Sequence, residues 1–416
     1  MCSGCGITSG ARSAAPKRAK AYLLMLPLDG LKVVSVEQAV AAPLASRQLA
    51  DFGARIVKIE RPNEGDFARE YDHKVKGLSS WFVWLNRSKE SLTLDLKHPE
   101  AKPVIEKLLS DCDVFIHNLA PGAAARLGLK SQELLRRNQK LIVCEISGYG
   151  SEGPYRNKKA YDLLVQFETG LVSITGTPET PCKAGISVAD IAAGVYAFSG
   201  ILMALYRREK SGRGAILQVS LFDALSEWVL PAAYYGFYGG TPPSRTGAEH
   251  ASIAPYGPYF TGDGKQINIG IQNEREWRQF CADVLLNREV AADPRFNSNS
   301  RRSENRKVLR TMISEIFRTL TLEELTDRLE KAGIAHSHMN SVQELFGHEQ
   351  HAARGRIQNV ASTAGLLQAL APPILLDGEK PRMEAIPELG EHTDAILAEL
   401  GYSAEQIQHL HIAGVL

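Results

Sequence analysis

Asp190 stands directly ahead of sixteen residues without a charge, Ile191 to Tyr206, which Arg207, Arg208, Glu209 and Lys210 close. Within the run Ile191, Val195, Phe198, Ile201, Leu202 and Leu205 recur at helical spacing, while Ala192, Ala193, Gly194, Ala197 and Gly200 offer close-packing faces. The run is short for a bilayer span, which needs about 20 apolar residues. The spacing predicts a buried helix with Asp190 at its N-cap. A carboxylate there accepts free backbone N–H groups and sits at the positive end of the helix dipole, which keeps it ionised, as a carboxylate nucleophile must be. An ordinary helix also favours Asp at its N-cap, and on this stretch alone a plain cap is the stronger reading.

Other residues able to do chemistry lie where apolar runs end. They are Val40 with Ala41, Arg61, Asn118 with the turn PGAAARLG, and Lys159 with Tyr161 and Asp162. Pro121 and Gly122 can open a helix whose N-terminus accepts phosphate, with Arg126 one turn inside. Arg61 directly follows an apolar run and can meet a nucleotide phosphate. Taken singly, each residue also suits a surface ion pair or a turn. Gly148-x-Gly150-x-x-Gly153 matches the dinucleotide fingerprint literally, but Pro154 and the polar YRNKK follow where a helix should open. There is no G-x-x-x-x-G-K-[ST] loop and no G-x-S-x-G elbow. His336 and His338 alternate as in a strand, with no further ligand at metal spacing, and read as structural.

The elements that must hold these residues are short apolar strands alternating with helices. LKVVSV, ARIVKIE, SLTLDL, CDVFIHN and KLIVCEIS read as strands, with helices at Pro43–Phe52, at Pro99–Leu109 and after Pro121. This alternation predicts an α/β fold with a doubly wound parallel sheet, which binds ligands at the carboxyl ends of its strands. From about Leu230 the texture changes to PAAYYGFYGGTPPSRTG, a hairpin around TGDGKQINIGI and two helices rich in Arg and Glu. Residues 26–230 are therefore expected to form a large domain, 231–332 a smaller one, and 333–416 a return to the first. Residues 1–25 read as an extension or disordered arm.

At 416 residues, 23% charged and a formal net charge of +1, nothing calls for nucleic acid or a membrane. Six scattered cysteines suggest a reducing compartment, and the Cys2/Cys5 pair lacks the partners of a zinc site. The expected location is cytoplasmic, or mitochondrial if the basic first 25 residues are a presequence.

Assembled, these residues resemble the family III CoA-transferases, the group of formyl-CoA and carnitine CoA-transferases. The resemblance runs from Leu26 to Leu416. It rests on PLDGLKVVSVEQAVAAPLASRQLADFGARIVKIERP, NRSKESLTLDLK, VFIHNLAPGAAARLGL, ISGYGSEGPYRNKKAYD, GISVADIAAGVYA and LGEHTDAIL. It implies that Asp190 attacks an acyl-CoA thioester, carries the acyl group as a mixed anhydride, and then holds CoA as an aspartyl thioester that an acceptor carboxylate collects. It implies no permanently bound cofactor, coenzyme A thioesters as substrates, and CoA lying against Val40, Arg61, Leu94, Lys97, Asn118, its neighbour Leu119, and Arg126. It also implies a Rossmann-like large domain, a smaller α+β domain, and an interlocked homodimer.

Departures bear on specificity. EHASIAPYGPYF has no glycine run where formyl-CoA transferases carry a mobile loop, and Val40 replaces their Gln, which disfavours an oxalate-type site. The texture is similar to transferases using succinyl-CoA and dicarboxylates such as itaconate, mesaconate, citramalate or glutarate. A dicarboxylate leaves one carboxylate idle, and Arg245 and His250 are the candidate partners for its charge. The alternative is an α-methylacyl-CoA racemase of similar fold. That chemistry needs a second acid/base in an A-G-H-D segment, which here reads Lys159-Ala160-Tyr161-Asp162, and tyrosine, with a pKa of about 10, is a poor base at neutral pH.

Overall fold

The computed structural model describes residues 25–416. The Cys2/Cys5 pair and the basic arm on which the mitochondrial alternative rests lie outside the described residues. Six parallel strands form the main sheet: β1 (Lys32–Val36), β2 (Arg55–Glu60), β3 (Lys89–Thr93), β4 (Val114–His117), β5 (Ile142–Ser147) and β6 (Ala215–Ser220). Their order is β3-β2-β1-β4-β5-β6. Strands covered on both faces read as unbroken apolar runs, and Val114, Phe115 and Ile116 of β4 are each 0% exposed. The strand order reverses between β1 and β4, where Val36 lies opposite His117. A doubly wound sheet opens its ligand crevice at that reversal.

Five strands fall where the sequence placed them, with β3 starting two residues earlier, at Lys89. The sixth was not predicted. Its AILQVS opens with three apolar residues and does not alternate, and at the sheet edge it sits between two long helices that dominate the local pattern.

The helices flanking this sheet are α1 (Ala41–Asp51), α2 (Ser80–Leu85), α3 (Ala101–Ser110), α4 (Ser131–Arg137), α5 (Asp162–Glu168), α6 (Val188–Ser211) and α7 (Leu221–Gly239). On one face α1, α6 and α7 bury Ala45, Leu49, Ala193, Ala197, Ile201 and Leu225 against the sheet. The helix expected after Pro121 is a single turn, Ala123–Arg126.

A three-stranded antiparallel sheet, β7 (Tyr256–Phe260), β8 (Gln266–Gly270) and β9 (Ala335–His338), carries the expected hairpin. It shares a core with α8 (Arg306–Phe317) and α9 (Leu322–Lys331), centred on Trp277, Phe280, Ile313 and Phe317. The boundary expected at Pro231 falls inside α7, and β9 carries this sheet past residue 332. After the hairpin β10 (Ile357–Val360) and β11 (Leu367–Leu370), the chain returns to the large sheet. Helices α10 (Thr393–Glu399) and α11 (Ala404–Ile412) bury Ile396, Leu397, Ile407 and Leu410 with Val34 and Phe115 on the sheet's second face.

Helix α6, 24 residues long, is apolar enough by length and composition to cross a membrane, yet Ala192, Ala193, Ala197 and Ile201 are wholly enclosed in the core. It crosses α1 at Gly194, where an added Cβ would stand 2.8 Å from the Ala41 carbonyl oxygen and 3.0 Å from Leu44 Cβ. Only glycine permits this approach, which sets Asp190, one turn earlier, beside the start of α1. Gly194→Val should cost about 1–3 kcal/mol through overpacking. Urea unfolding of the two proteins measures this, and equal midpoints would show that the crossing relaxes freely.

Candidate active site

Buried charges fix the carboxyl edge of the sheet. Glu37 follows β1, Lys58 and Glu60 lie on β2, and Lys89 lies on β3, all buried. Lys58 Nζ stands 2.6 Å from Asp66 Oδ2 and 3.6 Å from Glu37, and Lys89 Nζ donates to Glu37 Oε1 at 2.7 Å. Burial alone would raise the Glu37 carboxyl, but Lys89 and Lys58 outweigh it and hold it below the usual range. Burial likewise opposes the charge on Glu60, where Arg69 and Lys58 prevail and set it at about 2.

This network shapes the crevice. Asp66 Oδ1 accepts from Ala39 N at 3.0 Å and from Ala68 N at 2.9 Å, and Ala39 takes a left-handed φ of 63°. The bend leads into Val40 and α1. Across the strand reversal, Asn118 clamps the backbone of Gln38, its Oδ1 accepting from Gln38 N at 3.0 Å and its Nδ2 donating to Gln38 O at 2.8 Å. Arg61 donates to Gln38 Oε1 at 3.2 Å and to Glu64 at 2.7 Å. Val40, Ala41 and Leu94 are buried beside this edge, and Leu119 is partly buried. Lys97 and Arg126 are exposed, and among the described residues neither side chain has an ion-pair partner. Gln38 and Asp66 were missed by sequence reasoning. A polar pair between an apolar strand and an apolar helix, Glu37-Gln38, is the signal that pointed to the first.

Asp190 is the third residue of α6, not its N-cap, a place taken by Ser187. The capping carboxylate comes from outside the helix. Asp162, the first residue of α5, accepts from Ala189 N at 2.7 Å and Asp190 N at 3.3 Å through Oδ1. Its Oδ2 accepts from Gln166 Nε2 at 2.6 Å, and Gln166 Oε1 accepts from Ala184 N at 2.9 Å. The expectation that the helix end keeps Asp190 ionised is therefore corrected. Burial and the negative charge of Asp162 push its carboxyl up to about 7. Among the described residues no donor is hydrogen-bonded to that carboxyl.

Gly148 brings the second wall into place. A Cβ there would lie 2.2 Å from Ala160 Cβ, so the loop after β5 folds directly onto Lys159–Asp162 instead of opening a helix, and the G-x-G-x-x-G pattern here serves loop packing. Tyr161 is the N-cap of α5 and 66% exposed, and Lys159 is exposed. Tyr71, unmarked in the sequence, joins the site. Burial, then the charges of Asp66, Asp190 and Tyr161, lift its phenol to about 12. Its ring meets Trp81 edge-on at 6.1 Å, and Trp81 packs with Ile191, Val40 and Leu44.

Arg245 and His250 are engaged elsewhere. Arg245 donates to the carbonyls of Thr177 (2.8 Å), Ser173 (3.2 Å) and Pro178 (2.7 Å), which pins that loop to the smaller region. His250 Nδ1 accepts from Ser252 N and Ile253 N, and its ring stacks on Tyr256 at 5.3 Å. Both side chains support local loop structure, yet the three carbonyls use three of the five guanidinium N–H groups and both amides meet Nδ1, which leaves the other donors of Arg245 and Nε2 of His250 outside these bonds.

A Rossmann-ordered sheet with cations at its strand reversal and a carboxyl bare of donors beside it defines an α/β fold with a carboxylate-centred site. Comparison with known proteins gives the family. The profile of CoA-transferase family III matches residues 28–393. A succinate–glutarate CoA-transferase of Agrobacterium fabrum is 34% identical, over 90% of this chain and 96% of that protein. An acetyl-CoA:oxalate CoA-transferase of Acetobacter aceti is 33% identical, over 88% and 94%. The crystal structure of a CAIB/BAIF family protein from Brucella suis superimposes with a TM-score of 0.79 at 33% identity, covering 90% of this chain and all of that one. The chain belongs to family III of the CoA-transferases.

A raised carboxyl has a consequence for stability. The folded protein keeps the Asp190 proton between about pH 4, where an unfolded aspartate loses it, and about 7. The unfolded state binds fewer protons in that window, so the Asp190 contribution to stability is full below it and is lost as pH rises through it. Asp190→Asn removes this loss. Its melting temperature relative to wild type should climb from pH 5 to pH 8 in thermal scans, and a pH-independent difference would contradict the raised value.

Proposed function

We propose that this enzyme moves CoA from succinyl-CoA to a short-chain dicarboxylate, glutarate, itaconate, mesaconate or citramalate being the leading acceptors, through acyl intermediates on Asp190. The observation that carries the reading is the Asp190 carboxyl itself, free of donors and set beside the crevice at the strand reversal. Its ionised oxygen attacks the succinyl thioester carbon, the C–S bond breaks, and CoA leaves as the thiolate while a mixed anhydride forms. The thiolate attacks the aspartyl carbonyl of the anhydride and releases succinate, leaving CoA on Asp190 as a thioester. The acceptor carboxylate displaces the thiolate to form a second anhydride, and thiolate attack on the acceptor's carbonyl yields the new acyl-CoA and frees Asp190.

Arg61, Lys97 and Arg126 are the cations suited to the phosphates of CoA, with Val40, Leu94 and Leu119 as apolar neighbours. Lys159 and the Tyr161 and Tyr71 phenols join Arg245 as candidates for the second acceptor carboxylate, since the backbone bonds of Arg245 use three of its five N–H groups. The relative acting on glutarate supports a dicarboxylate acceptor. The oxalate relative makes acceptor length the point to test, because oxalate is also a dicarboxylate. Exposed aromatic side chains along α7, among them Trp228, Tyr235, Phe237 and Tyr238, support a homodimer, which sedimentation would reveal as a species of twice the chain mass.

A panel of acceptors with succinyl-CoA, read by mass detection of new thioesters, tests the substrate class, and transfer only to oxalate or to monocarboxylates would remove the five-carbon dicarboxylate reading. Asp190→Asn should abolish turnover while circular dichroism stays unchanged, and a hydroxylamine-sensitive adduct on the wild-type peptide containing Asp190 should disappear. Arg61→Ala and Arg126→Ala should each weaken CoA binding by about 1–3 kcal/mol, the worth of a charge-assisted hydrogen bond. Calorimetry checks this, and unchanged affinity in both would move the nucleotide elsewhere.

A further inference from the structure

A helix beginning offers N–H groups without intrahelical partners, and a carboxylate in its first turn ordinarily takes them. In α6 the nearest carboxylate by sequence, Asp190, does not. The N–H groups of Ala189 and of Asp190 itself point to Asp162 Oδ1, at 2.7 and 3.3 Å. The arrangement is held at two levels. Gln166, 1% exposed, donates to the other oxygen of Asp162 at 2.6 Å and through its own Oε1 accepts from Ala184 N, so that α5 grips the segment leading into α6. Gly148 packs on Ala160 and sets the start of α5. Nothing in this linkage touches the crevice cations.

We propose that Asp162 is a positioning residue for the reaction: by occupying the free N–H groups of the first turn of α6, it withholds them from Asp190 and keeps that carboxylate a strong nucleophile. This rests on Asp190 being the nucleophile. Hydrogen-bond donors stabilise a carboxylate's charge and weaken its attack, so their diversion to Asp162 raises the affinity of Asp190 for a proton and for an acyl carbon alike. The negative charge of Asp162 adds to the effect, since acylation neutralises Asp190 and relieves the repulsion. Beside Asp162, the titratable group that interacts with Asp190 is Tyr71, from the segment after β2, which is in turn near Asp66 and Tyr161. None of these carries a positive charge.

Asp162→Asn removes the charge while its amide oxygen still accepts from Ala189 N, with the loss of the bond from Gln166 Nε2, so the readout must distinguish a shifted titration from a structural defect. The titration of Asp190 is read without catalysis, as the pH at which the melting temperatures of the Asp162→Asn single variant and the Asp162→Asn/Asp190→Asn double variant diverge, against the same midpoint in the wild-type background. The midpoint should fall by about one to two pH units, the size expected when one nearby charge is removed. The rising limb of kcat/KM for succinyl-CoA should move down by the same amount, with kcat at its plateau reduced. Asp162→Ala, which also frees the N–H groups for Asp190, should move the midpoint and the limb further than Asp162→Asn does, and an equal shift in the two variants would assign the effect to charge alone and overturn the diversion. A purely structural Asp162 would lower activity at every pH with the midpoint unmoved, and that result overturns the proposal. A shifted midpoint with turnover surviving in Asp190→Asn would keep the diversion of the N–H groups but end the nucleophile reading on which its catalytic purpose rests.

Discussion

Lys58 is a fully buried lysine with carboxylates on two sides, Asp66 at 2.6 Å and Glu37 at 3.6 Å, and Glu37 in turn holds Lys89. Placing such charges inside a sheet edge costs several kcal/mol per ion in lost hydration, which only complete pairing offsets. Here pairing is nearly complete. Ser46 donates to Glu37, Asn86 and the Pro43 carbonyl accept from Lys89, and Ser91 and Arg69 satisfy Glu60. A network of this kind adds little net stability over apolar residues of equal volume. Its contribution is geometric, because any displaced member leaves a bare buried charge behind. The segment from Glu60 to Arg69 and the bend at Ala39 are therefore held in one arrangement, and with them Arg61, Val40 and the start of α1.

The opposite wall of the site is assembled by different physics. Helix α6 reaches α1 through small residues, so the distance between them is set by steric contact at Gly194. The rotation of α6 about its axis is fixed by the apolar stripe that enters the core. Asp190 comes to the crevice as a consequence of both, and Asp162 determines what its carboxyl meets on arrival. One side of the site is thus positioned by charge pairing and the other by close packing, and the two meet where Ile191, Trp81 and Val40 touch.

Much of this was legible in the sequence. The alternation of apolar strands and helices gave the doubly wound sheet, and strand ends marked Val40, Arg61, Asn118 and Asp162 because such a sheet concentrates polar residues there. The small residues of α6 announced a close crossing. What stayed hidden depends on contacts between segments far apart in sequence. Asp190 was taken for the cap of its own helix because Asp is favoured there, whereas the cap arrives from Asp162, 28 residues earlier. The bonds of Arg245 to the carbonyls of Thr177, Ser173 and Pro178 leave no trace in residue identity. Tyr71 follows a short 3-10 turn without apolar periodicity, and only the fold brings it towards Asp190. The boundary at Pro231 was placed on a change of composition, and α7 runs through that position.

In the proposed reaction Asp190 alternates between attacking group and leaving group against two kinds of partner. An ordinary carboxylate, with a pKa of about 4, leaves readily but attacks weakly, while an alkyl thiolate, with a pKa of about 8.5, does the reverse. An aspartate whose proton affinity lies near 7 stands between them. Both the anhydride and the aspartyl thioester neutralise Asp190, so burial and the charge of Asp162 favour both over the ionised carboxylate. Among the described residues no donor is hydrogen-bonded to this carboxyl, so its charge is poorly stabilised and acylation, which removes the charge, is favoured. The partial burial of Asp190 and the engagement of its helix end by Asp162 thus act on the carboxyl in the same direction.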